Sequence, residues 1–380
     1  MKDRVYFSGL NELRAFAALV VVLHHTEIYK KRIHLPSLYQ TRFVYLVEHL
    51  GKNGVFLFFV LSGFLITYLL LSEIKLNGRI SLRSFYVRRI LRIWPLYYII
   101  MILGFFIIPL FGMADFFSKE QYCQAYISSL QSGMNLVLFI IFFSNLAMIL
   151  FRPVVGASQT WSVSVEEQFY GIWPLMMNKF RKKPWIAFTG VIILKPLALH
   201  GIAWVNGHFF HHHQHLLTFV AKFLSTFSIE LMAIGALGAW LLFNYKEKVE
   251  RIFSDRRVFV VVLVLLAFQL FRFSSMFPMG ITFLCLILCF ICRKISFPVF
   301  NFLGSISYGI YMYHPMVMFI SYAIANNFVS GNQVWYNVVV YTLVFSCTIG
   351  ISYLSFEYIE KRFLRLKEKF SVVPSGKTTA

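Results

Sequence analysis

Acidic residues are scarce in this chain. Sixteen Asp and Glu stand against 36 Lys and Arg in 380 residues, and charged side chains make up only 14% of the whole. No stretch reads as a separate soluble domain, no internal repeat is visible and no low-complexity tract interrupts the chain. Cysteine is also rare. The five at Cys123, Cys285, Cys289, Cys292 and Cys347 have neither metal-ligand spacing nor a soluble disulfide framework, so they read as packing residues. No small-residue cleavage site follows the first apolar run, which argues against a cleavable signal peptide.

What is present is hydrophobic. Apolar residues make up 58% of the chain and gather into runs of membrane-spanning length, near 9–29, 53–72, 93–112, 134–150, 164–178, 185–205, 223–243, 258–272, 276–292, 303–325 and 335–356. Backbone polar groups in lipid must be satisfied within each segment, so the expected fold is all-α and polytopic. Basic clusters at 73–92, 179–183, 246–257, 293–294 and 361–369 mark cytoplasmic loops. They all fall on one side if 134–150 is re-entrant or lies at the outer surface. That gives about ten transmembrane helices with both termini cytoplasmic, and leaves the KKR at 30–32 outside. Residues 1–370 then form one transmembrane domain, and 371–380 a disordered cytoplasmic tail.

The first run carries the sharpest signal. Ionisable groups at membrane depth are costly and tend to mark function. Arg14 and His25 lie eleven positions apart, roughly three turns, which puts them on one helical face about 16 Å apart. His24 points about 100° away from that face. A fixed cation suits a phosphate, and a neutral imidazole suits proton abstraction from a hydroxyl.

Further candidates come with competing structural readings. Arg88, Arg89 and Arg92 open the third run. They either snorkel to lipid headgroups or clamp an anion beside Arg14, with Arg89 and Arg92 sharing a face. In SQTWSVSVEEQFYGIWP, Ser164 and Glu167 have capping-box spacing, which assigns Glu167 to the helix start. Glu166 is left either to face His25 or to sit solvated at the interface. Ser307, Tyr311 and His314 form a polar stripe on an apolar helix, suited equally to packing and to substrate contact. Lys195 is an intramembrane amine with a functional or a structural role. The HHHQH at 211–215 resembles a metal tract, but no Cys, Asp or Glu is near, and adventitious affinity is the expected reading.

Together these stretches resemble the integral-membrane acyltransferase-3 family, which includes bacterial glycan O-acetyltransferases. The likeness runs nearly end to end. It rests on R-x10-H (Arg14 to His25), GVFLFFVLSGFLIT, FYVRRILRIWPLYY with its R-x-x-R, TWSVSVEEQFY and GSISYGIYMYHP, in that order. One departure is Val163, where the family usually has Leu. The resemblance implies a multi-pass protein of the bacterial cytoplasmic membrane that moves an acyl group, usually acetyl, from cytoplasmic acyl-CoA to a hydroxyl on a surface or lipid-linked glycan. His25 and Glu166 are the expected catalytic pair. Arg14, Arg89 and Arg92 are expected to hold acetyl-CoA, and Trp161, Ser162, Tyr311 and His314 to contact substrate. Membrane lipid, the acyl donor and the glycan acceptor are the expected partners, with no metal and no nucleic acid. A fused extracytoplasmic esterase-like domain, present in some members, is not expected in a chain of this length. The competing class is a proton-coupled transporter or lipid-linked glycan flippase, which tends to show repeats and paired broken helices that this sequence lacks.

Overall fold

The structure is a computed structural model that describes residues 5–110, 133–151, 153–210, 215–329 and 332–373. Cys123, three histidines of the 211–215 tract and the last seven residues of the tail lie outside these residues. Every regular element among the described residues is helical. Five helices are long and apolar enough to cross a membrane: Val44–Asn77, Leu82–Ile107, Trp185–Phe209, His215–Asn244 and Gln333–Glu368. Three more are of similar length but carry more polar side chains: α1 (Leu10–Arg32), α6 (Thr160–Lys179) and α14 (Ser307–Phe328). These three meet around the candidate site.

The remaining elements follow in chain order. After α1 come α2 (Val44–Asn77) and α3 (Leu82–Ile102), the latter continuing through a π turn over Leu103–Ile107. The run at 134–150 is not one helix. It divides into α4 (Gly133–Ile140) and α5 (Ser144–Leu150), about 12 and 10 Å long at 1.5 Å per residue, so neither crosses alone. Phe142 at the break has φ 59°. Past α6 lie α7 (Trp185–Phe210), α8 (His215–Thr226), α9 (Ile229–Asn244), α10 (Lys246–Phe253), α11 (Arg256–Arg272), α12 (Met276–Cys292) and α13 (Pro298–Ser305). The chain closes with α14, α15 (Gln333–Ser355), a π turn over Phe356–Glu360 and α16 (Lys361–Glu368).

The central packing is α2 against α9, and small residues make it close. A Cβ on Gly63 would sit 1.9 Å from the Met232 carbonyl oxygen, and one on Gly235 would sit 2.1 Å from that of Val60. Only glycine allows the two backbones to touch, as at tight helix contacts in lipid. The periphery is the reverse. Ile193, Leu194, Leu197 and Trp204 of α7 and Val264 and Phe268 of α11 stand exposed, as suits helices facing acyl chains.

Two buried carboxylates fix α1 at its ends. Near the start, Glu12 accepts from the Ser296 hydroxyl (2.7 Å) and the Phe297 amide (3.2 Å). Near the finish, Glu27 accepts from Lys30 Nζ (2.8 Å), the Leu38 amide (2.5 Å) and the Tyr341 hydroxyl. The helix that carries Arg14 and His25 is therefore held in depth and rotation.

Candidate functional site

A cavity opens among α1, α2, α3, α6 and α14. Arg14, Arg89 and Arg92 line it, together with Ser62, Glu166, Tyr170 and Tyr311. Among the described residues none of the three arginines forms an ion pair. Arg14 makes one long contact, 3.5 Å, to Asn11 Oδ1. Arg89 lies over the rings of Phe85 and Tyr170, each 5.7 Å away, and its buried Nε has no hydrogen-bond partner. Guanidinium groups left open in one hollow are ready for the oxygens of an anion.

Arg88, adjacent in sequence, is different. It reaches Glu73 Oε2 at 3.5 Å and donates to the Phe370 carbonyl at 2.8 Å, tying the C-terminal segment to α2 and α3. The basic run therefore splits into one tether and two cavity residues. Lys195 is likewise structural in its contacts: its Nζ is 2.5 Å from Glu230 Oε2 and 2.5 Å from the Phe227 carbonyl.

His25 lies three turns beyond Arg14, past the cavity wall. Its Nδ1 is 2.7 Å from His314 Nε2, and His314 Nδ1 is 2.7 Å from the Tyr311 carbonyl oxygen. The two rings are within 4° of parallel with centroids 4.9 Å apart, so they meet edge to edge in nearly one plane. His24 turns away, as its rotation on the helix predicts. Its Nδ1 donates to the Val47 carbonyl at 2.7 Å, and its ring fills the space that a Cβ on Gly51 would occupy.

Tyr311 joins the two regions. Its hydroxyl faces the cavity and meets Ser162 Oγ at 2.7 Å and the Gln159 carbonyl at 3.0 Å. Its ring sits 5.9 Å from that of Phe58, between the cavity and the histidines.

Several expected placements change. Glu166 does not meet His25: its carboxylate accepts from Ser62 Oγ and from the Tyr170 hydroxyl, both at 2.9 Å, inside the arginine cavity. The reason is the start of α6 at Thr160. Glu166 lies four residues past Ser162 on that helix, about 6 Å nearer the arginines. The same start removes the capping box. Ser164 falls in the second turn and pairs with Ser144 Oγ at 2.7 Å, while Glu167 accepts from Trp94 Nε1 at 3.0 Å. Ser162 and Tyr311 line the cavity and His314 and Trp161 do not. His314 is fully buried against His25, and Trp161 packs edge-on to Phe59. Ser62 and Tyr170 were missed; Tyr170 is one turn after Glu166 on the same face, a spacing that could have found it. Among the described residues no group of three or more His, Cys, Asp or Glu is arranged to hold a metal.

Comparison with known proteins gives the chemistry a context. The model of the acyltransferase domain family matches residues 7–357. A Staphylococcus aureus (strain COL) protein whose name marks it as a candidate O-acetyltransferase is 27% identical over 387 residues, covering 95% of this chain and 58% of its own length. The peptidoglycan O-acetyltransferase OatA of Listeria monocytogenes is 27% identical over 181 residues, 47% of this chain and 25% of its own. An uncharacterized protein of Haemophilus influenzae is 29% identical over 221 residues, 56% of this chain and 84% of its own. The chain thus spans a little over half the length of the staphylococcal relative. No solved structure matches it.

Proposed function

Since the chain belongs to the acyltransferase-3 family, we propose that it is a membrane O-acyltransferase that carries an acetyl group from cytoplasmic acetyl-CoA to a hydroxyl of an envelope glycan or lipid-linked sugar. One observation carries the reading: three arginines that form no ion pair among the described residues share a cavity at one end of the helix whose other half presents His25. The phosphates of the donor are held by Arg14, Arg89 and Arg92. The separation from Arg14 to His25, roughly 16 Å, is of the order of the phosphopantetheine arm, so a donor anchored at the arginines delivers its thioester toward the histidine. The Phe58–Tyr311 contact stands on that path and opens to admit the arm.

At His25 the acceptor hydroxyl gives its proton to the imidazole as its oxygen attacks the thioester carbon. The C–S bond breaks and the departing thiolate recovers that proton from His25, leaving ester and free thiol. Glu166 lies in the donor cavity with its carboxylate held by Ser62 and Tyr170, which keeps it off the arginines and leaves them to the donor's phosphates. The protein sits in the bacterial cytoplasmic membrane with ten spans. Both termini and the arginine end of α1 face the cytoplasm, and His25 opens toward the outer side, where the acceptor arrives. Trp161 supports the outer approach by packing Phe59, and Ser162 fixes Tyr311.

The test is thiol release from acetyl-CoA by purified protein in nanodiscs, with acetate on the host's envelope polysaccharide measured after mild alkali. Release that requires the polysaccharide and leaves alkali-labile acetate on it is the expected result. Tight handling of a lipid-linked glycan with no thiol released would select the flippase reading instead.

A further inference from the structure

We infer that His314 is a positioning residue that locks His25 into the one tautomer able to act as a base, with Nδ1 protonated and Nε2 bare. The inference rests on the acyl-transfer reading of His25 and adds a second histidine to it.

The chain of reasoning starts at a proline. Pro315 sits inside α14 and has no amide hydrogen, so the carbonyl of Tyr311, four residues back, lacks its normal helical donor. His314 fills that role with Nδ1 at 2.7 Å. A carbonyl oxygen only accepts, so His314 Nδ1 carries the hydrogen. His314 is fully buried, and among the described residues no carboxylate pairs with either histidine ring. An uncompensated imidazolium there would be costly, so the ring is neutral and its Nε2 is bare. His25 Nδ1, 2.7 Å from that bare nitrogen, must then be the donor. A neutral His25 with hydrogen on Nδ1 holds its free lone pair on Nε2, the nitrogen turned away from His314. No hydrogen bond to that nitrogen is found among the described residues.

His314 thus does for His25 what a carboxylate commonly does for a catalytic histidine: it selects the tautomer and fixes the plane of the ring. Here the orienting group is itself an imidazole, held by a carbonyl that a proline has set free. During the reaction His314 neither gains nor loses a proton. It accepts from Nδ1 while Nε2 of His25 takes the acceptor's hydrogen and passes it to the leaving thiolate.

The experiment joins an activity-independent readout to a kinetic one. Full-length protein labelled with 15N-histidine in nanodiscs reports which imidazole nitrogens carry hydrogen, with His25 and His314 assigned by substitution. Thiol release from acetyl-CoA is followed in parallel, with the host's de-O-acetylated envelope polysaccharide as acceptor. The expected wild-type spectrum shows His25 protonated at Nδ1 and bare at Nε2. His314→Leu should give His25 a mixture of tautomers and cut kcat about 10²-fold, the lower range of general-base assistance, with KM for acetyl-CoA unchanged. His314→Gln, whose side-chain oxygen can accept from His25 Nδ1, should return kcat to within about tenfold of wild type. A wild-type His25 carrying its hydrogen on Nε2 overturns the inference, as does a His314→Leu protein with the wild-type tautomer and rate. Equal loss in the Leu and Gln variants, with the tautomer unchanged, makes His314 a packing residue only. The expected tautomer in a protein that releases no thiol supports the histidine pair and overturns the acyl-transfer reading instead.

Discussion

Two sets of cations lie inside this bundle, and they differ in what stands opposite them. Lys30 faces Glu27 at 2.8 Å, Lys195 faces Glu230 at 2.5 Å and Arg88 faces Glu73 at 3.5 Å. Arg14, Arg89 and Arg92 face an open cavity and pair with no carboxylate among the described residues. A buried charge without compensation is expensive, so the first set is offset from within the chain and reads as framework. The second set has its compensation left to something from outside, and an anion is what would supply it. The two histidines of α1 repeat the contrast: His24 is closed by the Val47 carbonyl, whereas His25 keeps one nitrogen open.

The largest effect expected from that contrast is at the histidines. His25→Ala should lower acetyl transfer about 10²–10⁴-fold, the range of general-base assistance, while leaving the protein inserted and folded. His24→Ala loses one bond to a carbonyl and should keep transfer within about tenfold. Alkali-released acetate from cells expressing each variant at matched levels measures both. Near wild-type acetate from His25→Ala would remove the distinction between open and closed groups altogether.

The framework pairs give the next effect, on stability and not on chemistry. Glu230→Leu strands the Lys195 ammonium, and breaking a buried pair from one side costs about 3–5 kcal/mol. Its thermal midpoint in nanodiscs should fall well below wild type, with acetyl-CoA affinity of the folded protein unchanged. Replacing both partners, Lys195→Met with Glu230→Leu, should recover most of the loss. A double variant as unstable as the single one would mean that the Phe227 carbonyl, and not the ion pair, is what Lys195 serves.

How much of this the sequence disclosed depends on how local each relation is. Arg14 and His25 share a face because spacing on one helix is a local property, and the same holds for Arg89 and Arg92. The all-helical character also follows from local patterning. The reading of 134–150 as re-entrant or surface-lying rests instead on the placement of basic loops along the whole chain, and the break within it was not read from the sequence. The partner of His25 lies 289 residues away, a separation that no periodicity reports. Glu166 was misplaced because its depth depends on where α6 begins inside the bundle, and the capping-box spacing suggested a later start. Arg88 and Arg89 are neighbours with opposite fates, and only the position of Glu73 on α2 decides which one is tied. One local sign was available: a histidine directly before a helical proline stands beside a carbonyl that has lost its donor.

The open arginines should show a moderate effect on donor binding. Arg89→Ala and Arg92→Ala each remove charge-assisted bonds worth about 1.5–3 kcal/mol, so acetyl-CoA should bind about 10–100-fold more weakly with the fold intact. Lys at either position should rescue only in part, because an ammonium lacks the planar fork that meets phosphate. Arg88→Ala should instead lower stability and leave the affinity alone. Equilibrium binding of radiolabelled acetyl-CoA separates these outcomes, and unchanged affinity in both the Arg89 and Arg92 variants would place them at lipid headgroups.

Glu166 is the mixed case, and it sharpens the comparison with the smallest effect. It lines the same cavity as the three arginines yet pairs with none of them, because Ser62 and Tyr170 each hold one of its oxygens at 2.9 Å. Released from those hydroxyls, the carboxylate would turn to a guanidinium and compete with the donor's phosphates. Ser62→Ala and Tyr170→Phe each remove one hydrogen bond, worth about 0.5–1.5 kcal/mol. Acetyl-CoA affinity should therefore fall about two- to tenfold in each, and further in the double variant, with kcat preserved. Glu166→Gln removes the competing charge and should move affinity the other way, tightening donor binding by a few-fold. The sign of that last change is the decisive reading. If Glu166→Gln leaves donor affinity alone and lowers kcat, the carboxylate acts at the histidine end after all, and the division between a donor cavity and a separate histidine pair fails.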